Sequence, residues 1–448
     1  MDLRYSMDPI DLQRGMNSLR KILMRGAVSP LVRQNEMEVM VRDSIGTNAG
    51  NLLYSYGVFR TLMTEDTVID MDHYAVEGRR FSEADIEYIN SEYDAYVLPM
   101  ADAFREDFKK KLLYYANFFR KLTIPCHVVG VGLRAGYEPG LEKGFPFDEE
   151  VRTFIASVLD KSSLVGVRGG ITGRYLSSMG FQEERHYTVI GCPSVYACGA
   201  QLTQRRLQIS REAKISLNGG YMQPDEPVTK YLYDIADHFP DYQYVAQRIE
   251  ELRTLCIGQP NSAIEGTCYP WGIGHRFYRE NRVKFFISAD AWIKDMRHID
   301  LSIGTRLHGN IAAILGGAPA LFIPVDSRMR ELVEYHGFPQ VPAYLFDTHS
   351  SLEEMIEKVD MDAYIRLHAE NFRHFIDFLD ENGLEHIYRA DIERDRAPAD
   401  DMMPHYDGQF QPFVTRDENG VQELYEAYDH EIAVWERIRH TSGLQCHE

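Results

Sequence analysis

Short apolar runs alternate with amphipathic stretches along most of the chain, a pattern that predicts buried parallel strands covered by helices and hence an α/β fold. YDAYVLPM (93–100) and IPCHVVGVG (124–132) read as strands on either side of an amphipathic segment, 104–122. SLVGVRG (163–169) and HYTVIG (186–191) repeat the pattern around a helix near 171–179. A charged, polar stretch, QLTQRRLQISREAK (201–214), then separates this unit from a second series. Its strands are KISLNGG (214–220), YQYVAQ (242–247), RVKFFIS (282–288), IDLSIG (299–304) and PALFIPV (319–325). Helical periodicity returns at 352–359 and 363–379, and beyond Ala397 the pattern carries no clear period. The expected organisation is one strand-helix domain over 1–206 and a second over 207–348. Helices at 349–395 pack back on them, and the role of the tail at 396–448 is open.

In open α/β sheets ligands gather at the carboxyl ends of strands, so the loops after these strands are where chemistry is expected. The most suggestive is GTRLHGNIAAILGG (304–317). Leu307, Ile311, Ile314 and Leu315 recur at helical spacing and form a buried face. Thr305 precedes them where an N-cap is wanted. Arg306 and His308 fall off that face, about 200° apart around a helix. At an open first turn both can lean toward a point beyond the helix end, where free amides and the positive end of the helix dipole favour an anion. The alternative is an ordinary ion pair for Arg306 and a capping role for His308.

Composition narrows the possibilities. With 44% hydrophobic residues the 448-residue chain is globular. A net charge of -20 argues against a nucleic-acid binder, and an anionic substrate then needs a local basic pocket. The longest apolar run, 311–325, is broken by Gly316, Gly317, Pro319 and Pro324, so no transmembrane segment is expected. The opening MDLRYSMDPI lacks the apolar core of a signal peptide, which gives a cytoplasmic expectation. Six scattered cysteines, Cys126, Cys192, Cys198, Cys256, Cys268 and Cys446, have neither CxxC nor metal-ligand spacing and are expected as free thiols; no metal and no cofactor are expected.

GTRLHGNIAAILGGAPALFIPVDSRMRELVEYHGFP resembles the signature of the polysaccharide pyruvyl transferase family, with its Arg-x-His-Gly helix start, Gly-x-Pro, strand and following basic residue. GTNAGNLLYSYGVFRTL (46–62), VVGVGLRAG and GVRGGITGRYLSSMGF with HYTVIGCPSVY resemble other segments of that family, in the same order. The resemblance implies two Rossmann-like domains arranged as in GT-B glycosyltransferases, with the active site in the cleft between them. It further implies transfer of the enolpyruvyl group of phosphoenolpyruvate onto a sugar of a polysaccharide or its precursor, leaving a pyruvate ketal.

On that resemblance Arg306 and His308 are the catalytic pair, within a start that also includes Thr305, Leu307 and Gly309. Arg168 is a candidate contact to the donor, with a structural ion pair an equally good account of it. Asn48, Gly50 and Asn51 belong to the N-terminal loop, where a plain turn accounts for them equally well. Arg328 and Arg330 stand where relatives often have lysine, each a candidate either to contact an anion or merely to cover the surface, and Cys192 stands where many have an acid. The partners implied are a small-molecule donor and a carbohydrate acceptor; the oligomeric state is open. The competing readings are a GT-B-type glycosyltransferase using a nucleotide sugar and a non-catalytic carbohydrate-binding relative.

Overall fold

The computed structural model describes residues 19–442 except 79, 208, 221–226 and 407–409. The reading of the first ten residues and the thiol of Cys446 therefore lie outside the described residues, as do parts of the tail. The first lobe runs β1 (Arg20–Met24), α1 (Glu36–Arg42), α2 (Gly50–Leu62), β2 (Thr67–Met71), α3 (Ala75–Gly78), α4 (Glu83–Glu92) and β3 (Ala95–Pro99). It continues through α5 (Lys109–Phe119), β4 (Cys126–Val129), α6 (Asp148–Leu159), β5 (Val165–Val167), α7 (Gly170–Ser178) and β6 (Tyr187–Val189). Its strands form a parallel sheet in the order β2-β1-β3-β4 and a parallel pair β5-β6, joined by a bridge between Val131 and Val167.

The second lobe runs β7 (Ile215–Asn218), α8 (Pro227–His238), β8 (Tyr242–Val245), α9 (Ile249–Ile257), α10 (Arg276–Arg279) and β9 (Val283–Lys284). Then follow α11 (Ala289–Met296), β10 (Leu301–Gly304), α12 (Leu307–Leu315), β11 (Ala320–Phe322) and α13 (Ser327–His336). All five strands are parallel, in the order β11-β10-β7-β8-β9. The fold class is α/β, with two parallel sheets. Strands β3, β4, β7 and β10 are buried at every position, including the polar His127, Ser216, Asn218 and Ser302, as expected of parallel strands covered on both faces. The expected strand at 282–288 shrinks to the two residues of β9, because only Val283 and Lys284 meet a neighbouring strand.

The chain closes with α14 (Leu352–Glu357), α15 (Ala363–Glu381) and α16 (Glu418–Ser442). Helix α15 packs on the first lobe: Phe375 stacks on Tyr196, and Asn382 Oδ1 accepts from the amides of Ser163 and Leu164. Helix α16 is fixed to α1 by the Arg42–Glu431 ion pair and to α9 by Tyr425, whose hydroxyl donates to Ile257 O. One apolar core runs through both lobes, joining α2 to β7, β10 and α12; a second fills the far side of the first sheet.

Candidate active site between the two sheets

The turn after β10 is set by two buried asparagines. A Cβ on Gly304 would stand 1.6 Å from Asn218 O, so only glycine allows the two chains to pass this closely. Asn218 O then accepts from the Thr305 amide (3.1 Å), its Oδ1 accepts from the Arg306 amide (3.0 Å), and its Nδ2 donates to Asn310 Oδ1 (2.8 Å). Helix α12 starts at Leu307 with Arg306, not Thr305, as the N-cap residue. The expected cap is displaced because the Thr305 hydroxyl is used elsewhere, accepting from the Gly220 amide at 2.9 Å. Leu307 is buried in the core, and Gly309 lies against Asn218 and Gln247.

Arg306 and His308 leave this turn in different directions. Arg306 is buried, and its Nη1 meets Glu251 Oε2 at 2.7 Å while its Nη2 donates to the Tyr269 hydroxyl. Burial opposes the charge, but Glu251 and Tyr269 more than offset it and hold the guanidinium above its usual range. Glu251 in turn accepts from the amides of Gln247 (3.1 Å) and Arg248 (2.9 Å), so the pair is fully anchored. The two side chains therefore do not converge as the spacing suggested: Arg306 has found the nearby acid.

His308 faces the first lobe. It packs over the start of α2, where a Cβ on Gly50 would come within 2.5 Å of its Nδ1, and its Nε2 lies 3.9 Å from Cys192 Sγ. Burial, then the positive charges of Arg168 and Arg328, lower its pKa to about 3, against a raising effect of Asp102. Without an added anion it is neutral at pH 7.

The groups around it come from strand ends of both lobes. Arg168, following β5, is 1% exposed. Its Nε donates to Gly130 O at 2.9 Å and its plane lies over the Tyr54 ring, with 5.6 Å to the centroid. Its Nη2 and the Tyr54 hydroxyl are both buried without a hydrogen-bond partner. Arg328, in the first turn of α13, pairs with Asp102 Oδ2 and Asp326 Oδ2, each at 3.0 Å, while its Nε is buried and unpaired. Asp102, beyond β3, also meets Arg105 at 3.0 Å and Arg134 at 3.7 Å. Although burial pushes its carboxyl up, Arg328, Arg105, Arg168 and Arg134 together hold it well below the usual carboxylate range. Four arginines thus gather about one firmly ionised aspartate, a local positive region in a chain of net charge -20.

The glycine/asparagine loop has a mechanical part. Asn48 Oδ1 accepts from the Gly50 amide (2.8 Å), and Asn51 Nδ2 donates to Ile45 O and Gly46 O (3.1 and 2.7 Å), so both side chains are spent on the turn itself. The loop's backbone is joined to the second lobe: the Ala49 amide donates to Gln247 O (2.7 Å) and the Ile249 amide to Thr47 O (3.0 Å). A further inter-lobe clasp lies behind Arg168, where buried Glu331 accepts from the Thr172 amide and hydroxyl, both at 2.8 Å.

Spacing alone missed Asp102, Tyr54 and Glu251. Asp102 had a usable signal, since it follows a buried strand at its carboxyl end. Glu251 had none, because its partner lies 55 positions away.

A family model described as polysaccharide pyruvyl transferase matches residues 48–327, which include Asp102, Arg168, Glu251, Arg306 and His308 but not Arg328 or Glu331. The chain belongs to the polysaccharide pyruvyl transferase family. This family member has no match among curated protein sequences. Solved structures with a similar course include a UDP-GlcNAc 2-epimerase from Methanocaldococcus jannaschii, in complex with UDP-GlcNAc and UDP. It is 11% identical with a TM-score of 0.41, over 80% of this chain and 99% of that one. Another is the Neisseria meningitidis UDP-GlcNAc 2-epimerase bound to UDP-GlcNAc, at 10% and 0.41, over 81% and 100%. An uncharacterized Klebsiella pneumoniae protein aligns at 13% and 0.37, over 73% and 94%. Among the described residues of the pyruvyl transferase family member, no helix is long and apolar enough to cross a membrane, and no group of three or more His, Cys, Asp or Glu could hold a metal.

His308 shares its low pKa with His336, which lies behind Cys192, accepts from the Cys192 amide at Nε2 (3.0 Å), and is pushed down to about 3 chiefly by burial. Imidazoles held neutral in the fold but titrating near 6.5 once unfolded stabilise the protein fully above pH 6.5, and that contribution is lost as pH falls toward 3. The urea midpoint is therefore expected to drop between pH 7 and pH 5, and less so in His336→Gln. An equal drop in both would show that His336 is not a source of it.

Proposed function

We propose that the chain moves the enolpyruvyl group of phosphoenolpyruvate onto two hydroxyls of one sugar in a polysaccharide or its precursor, yielding a pyruvate ketal and phosphate. The observation that carries the reading is the buried, unpartnered Nη2 of Arg168 beside His308 and the unpaired Nε of Arg328, in a member of this family. A donor carrying both carboxylate and phosphate needs several fixed cationic donors, and two arginines with free N–H groups provide them. Arg306, bound to Glu251, acts as a positioning residue that fixes the start of α12.

In the reaction one acceptor hydroxyl bonds to the central carbon while a proton passes to the methylene, making it a methyl group. The second hydroxyl then bonds to the same carbon as the carbon–oxygen bond to phosphate breaks, and its proton leaves with the phosphate. His308 is the proton carrier. Burial first, and then Arg168 and Arg328, depress its pKa in the free protein. A bound polyanion offsets those charges, so the imidazole is raised toward neutrality and takes up a proton as the donor arrives.

Thermal-shift titration tests the donor. Phosphoenolpyruvate is expected to raise the melting midpoint, and Arg168→Gln to weaken its half-saturation about tenfold or more, in line with a lost charge-assisted bond of about 1.5–3 kcal/mol. Stabilisation by uridine diphosphate and not by phosphoenolpyruvate would overturn the reading in favour of a nucleotide-sugar glycosyltransferase.

A further inference from the structure

One stripe of α2, formed by Gly50, Tyr54 and Gly57, runs along the site at helical spacing. A Cβ on Gly50 would stand 2.5 Å from His308 Nδ1 and one on Gly57 2.3 Å from Pro193 O, so at both places the helix backbone lies directly against its neighbour. Tyr54 is the side chain between them. It is 3% exposed, and the Arg168 guanidinium lies over its ring, 5.6 Å from the centroid. Cys192, which precedes Pro193, closes the far side, with its Sγ 3.9 Å from His308 Nε2 and 3.0 Å from Ser194 Oγ. Two buried polar atoms of this group have no hydrogen-bond partner, Tyr54 Oη and Arg168 Nη2. Burial pushes the Tyr54 phenol well above its usual range, and the opposing effect of Arg25 and Arg168 is smaller, so the hydroxyl keeps its proton at neutral pH.

We propose that the Tyr54 hydroxyl is a donor-binding group, giving its hydrogen bond to an anionic oxygen of the phosphoenolpyruvate that Arg168 holds. The inference rests on the proposed transfer reaction and adds to it a residue that local spacing does not single out. A buried hydroxyl without a partner costs stability, and a ligand that accepts its hydrogen bond recovers that cost. Arg168 Nη2 can only donate, and a phenol that keeps its proton can donate beside it. Both atoms therefore call for an acceptor, and the guanidinium selects a negatively charged one.

A neutral donor suits this position better than a further cation. Arg168 and Arg328 already add to burial in lowering the pKa of His308. A third positive group beside the imidazole would lower it again and hinder the proton uptake that the reaction needs. The phenol contributes a hydrogen bond to the anion and no charge, so the bound polyanion can still raise His308 toward neutrality. Carboxylate and phosphate both offer an anionic oxygen, and ligands carrying only one of the two tell them apart.

Thermal-shift titration of the full chain and of Tyr54→Phe tests the assignment, because the variant keeps the ring under Arg168 and loses only the oxygen. Its unligated melting midpoint is expected to stay at or above that of the wild type, since no hydrogen bond of the free protein is lost. Its phosphoenolpyruvate half-saturation is expected to weaken about tenfold, the scale of a hydrogen bond to a charged group. Ser55→Ala removes another buried hydroxyl of α2 without a partner, one set against Gly26 instead of Arg168, and is expected to leave the half-saturation unchanged. Inorganic phosphate and pyruvate, titrated separately, identify the end of the donor that Tyr54 holds as the one whose binding Tyr54→Phe weakens. Equal phosphoenolpyruvate half-saturation in wild type and Tyr54→Phe would overturn the inference and leave the donor assignment standing. A lower unligated midpoint in the variant would do the same, by making the hydroxyl a structural group. Stabilisation by inorganic phosphate but not by phosphoenolpyruvate, weakened in Tyr54→Phe, would keep the hydroxyl as an anion contact and remove the donor assignment instead.

Discussion

Acceptor-dependent phosphate release from phosphoenolpyruvate is expected to fall about 100-fold or more in His308→Ala, the usual scale for a lost general acid–base group. The donor's half-saturation in thermal shift is expected to change little, because Arg168 and Arg328 remain. The free-protein pKa of about 3 makes a second, sharper demand: if His308 shuttles the proton, donor binding at pH 7 is accompanied by proton uptake. Calorimetry in buffers of differing ionisation enthalpy measures this directly. Uptake of a fraction of a proton is expected in the wild type and none in the variant. Unchanged turnover in a folded His308→Ala protein would remove the imidazole from the mechanism.

Arg306→Ala is expected to act on stability before it acts on binding. The substitution leaves Glu251, which is 2% exposed, as an ionised carboxylate without its cation, and such breaks of buried pairs cost about 3–5 kcal/mol. Urea unfolding should show a loss of this size. The double variant Arg306→Met with Glu251→Leu is expected to recover most of it, since the charge that was stranded is gone. A nearly wild-type unfolding curve for Arg306→Ala, joined to a large loss of phosphoenolpyruvate binding, would instead make Arg306 a donor contact.

Sequence pattern reached the fold class because buried parallel strands have a local signature: β3, β4 and β10 are mostly apolar and buried at every position. It did not reach β1, whose first two positions are not buried, or β2, where buried and partly buried positions alternate. The motif 304–317 forms the turn after β10 and lies within residues 48–327 that the family model matches. Local spacing could not tell where the two polar side chains go. That depends on Glu251 and Tyr269 on one side and on Gly50 and Cys192 on the other, all far away in sequence. Thr305 reads as a cap from sequence because its residue type suits one. The competing amide of Gly220 becomes visible only once β7 is placed beside β10.

Main-chain bonds from Thr47 and Ala49 to Gln247 and Ile249 fasten the halves of the molecule a few residues from His308. Swinging those halves wide apart would sever this seam. The groups around His308 therefore stand pre-set instead of being brought together by closure, with Arg134 and Arg328 on the side that keeps contact with solvent.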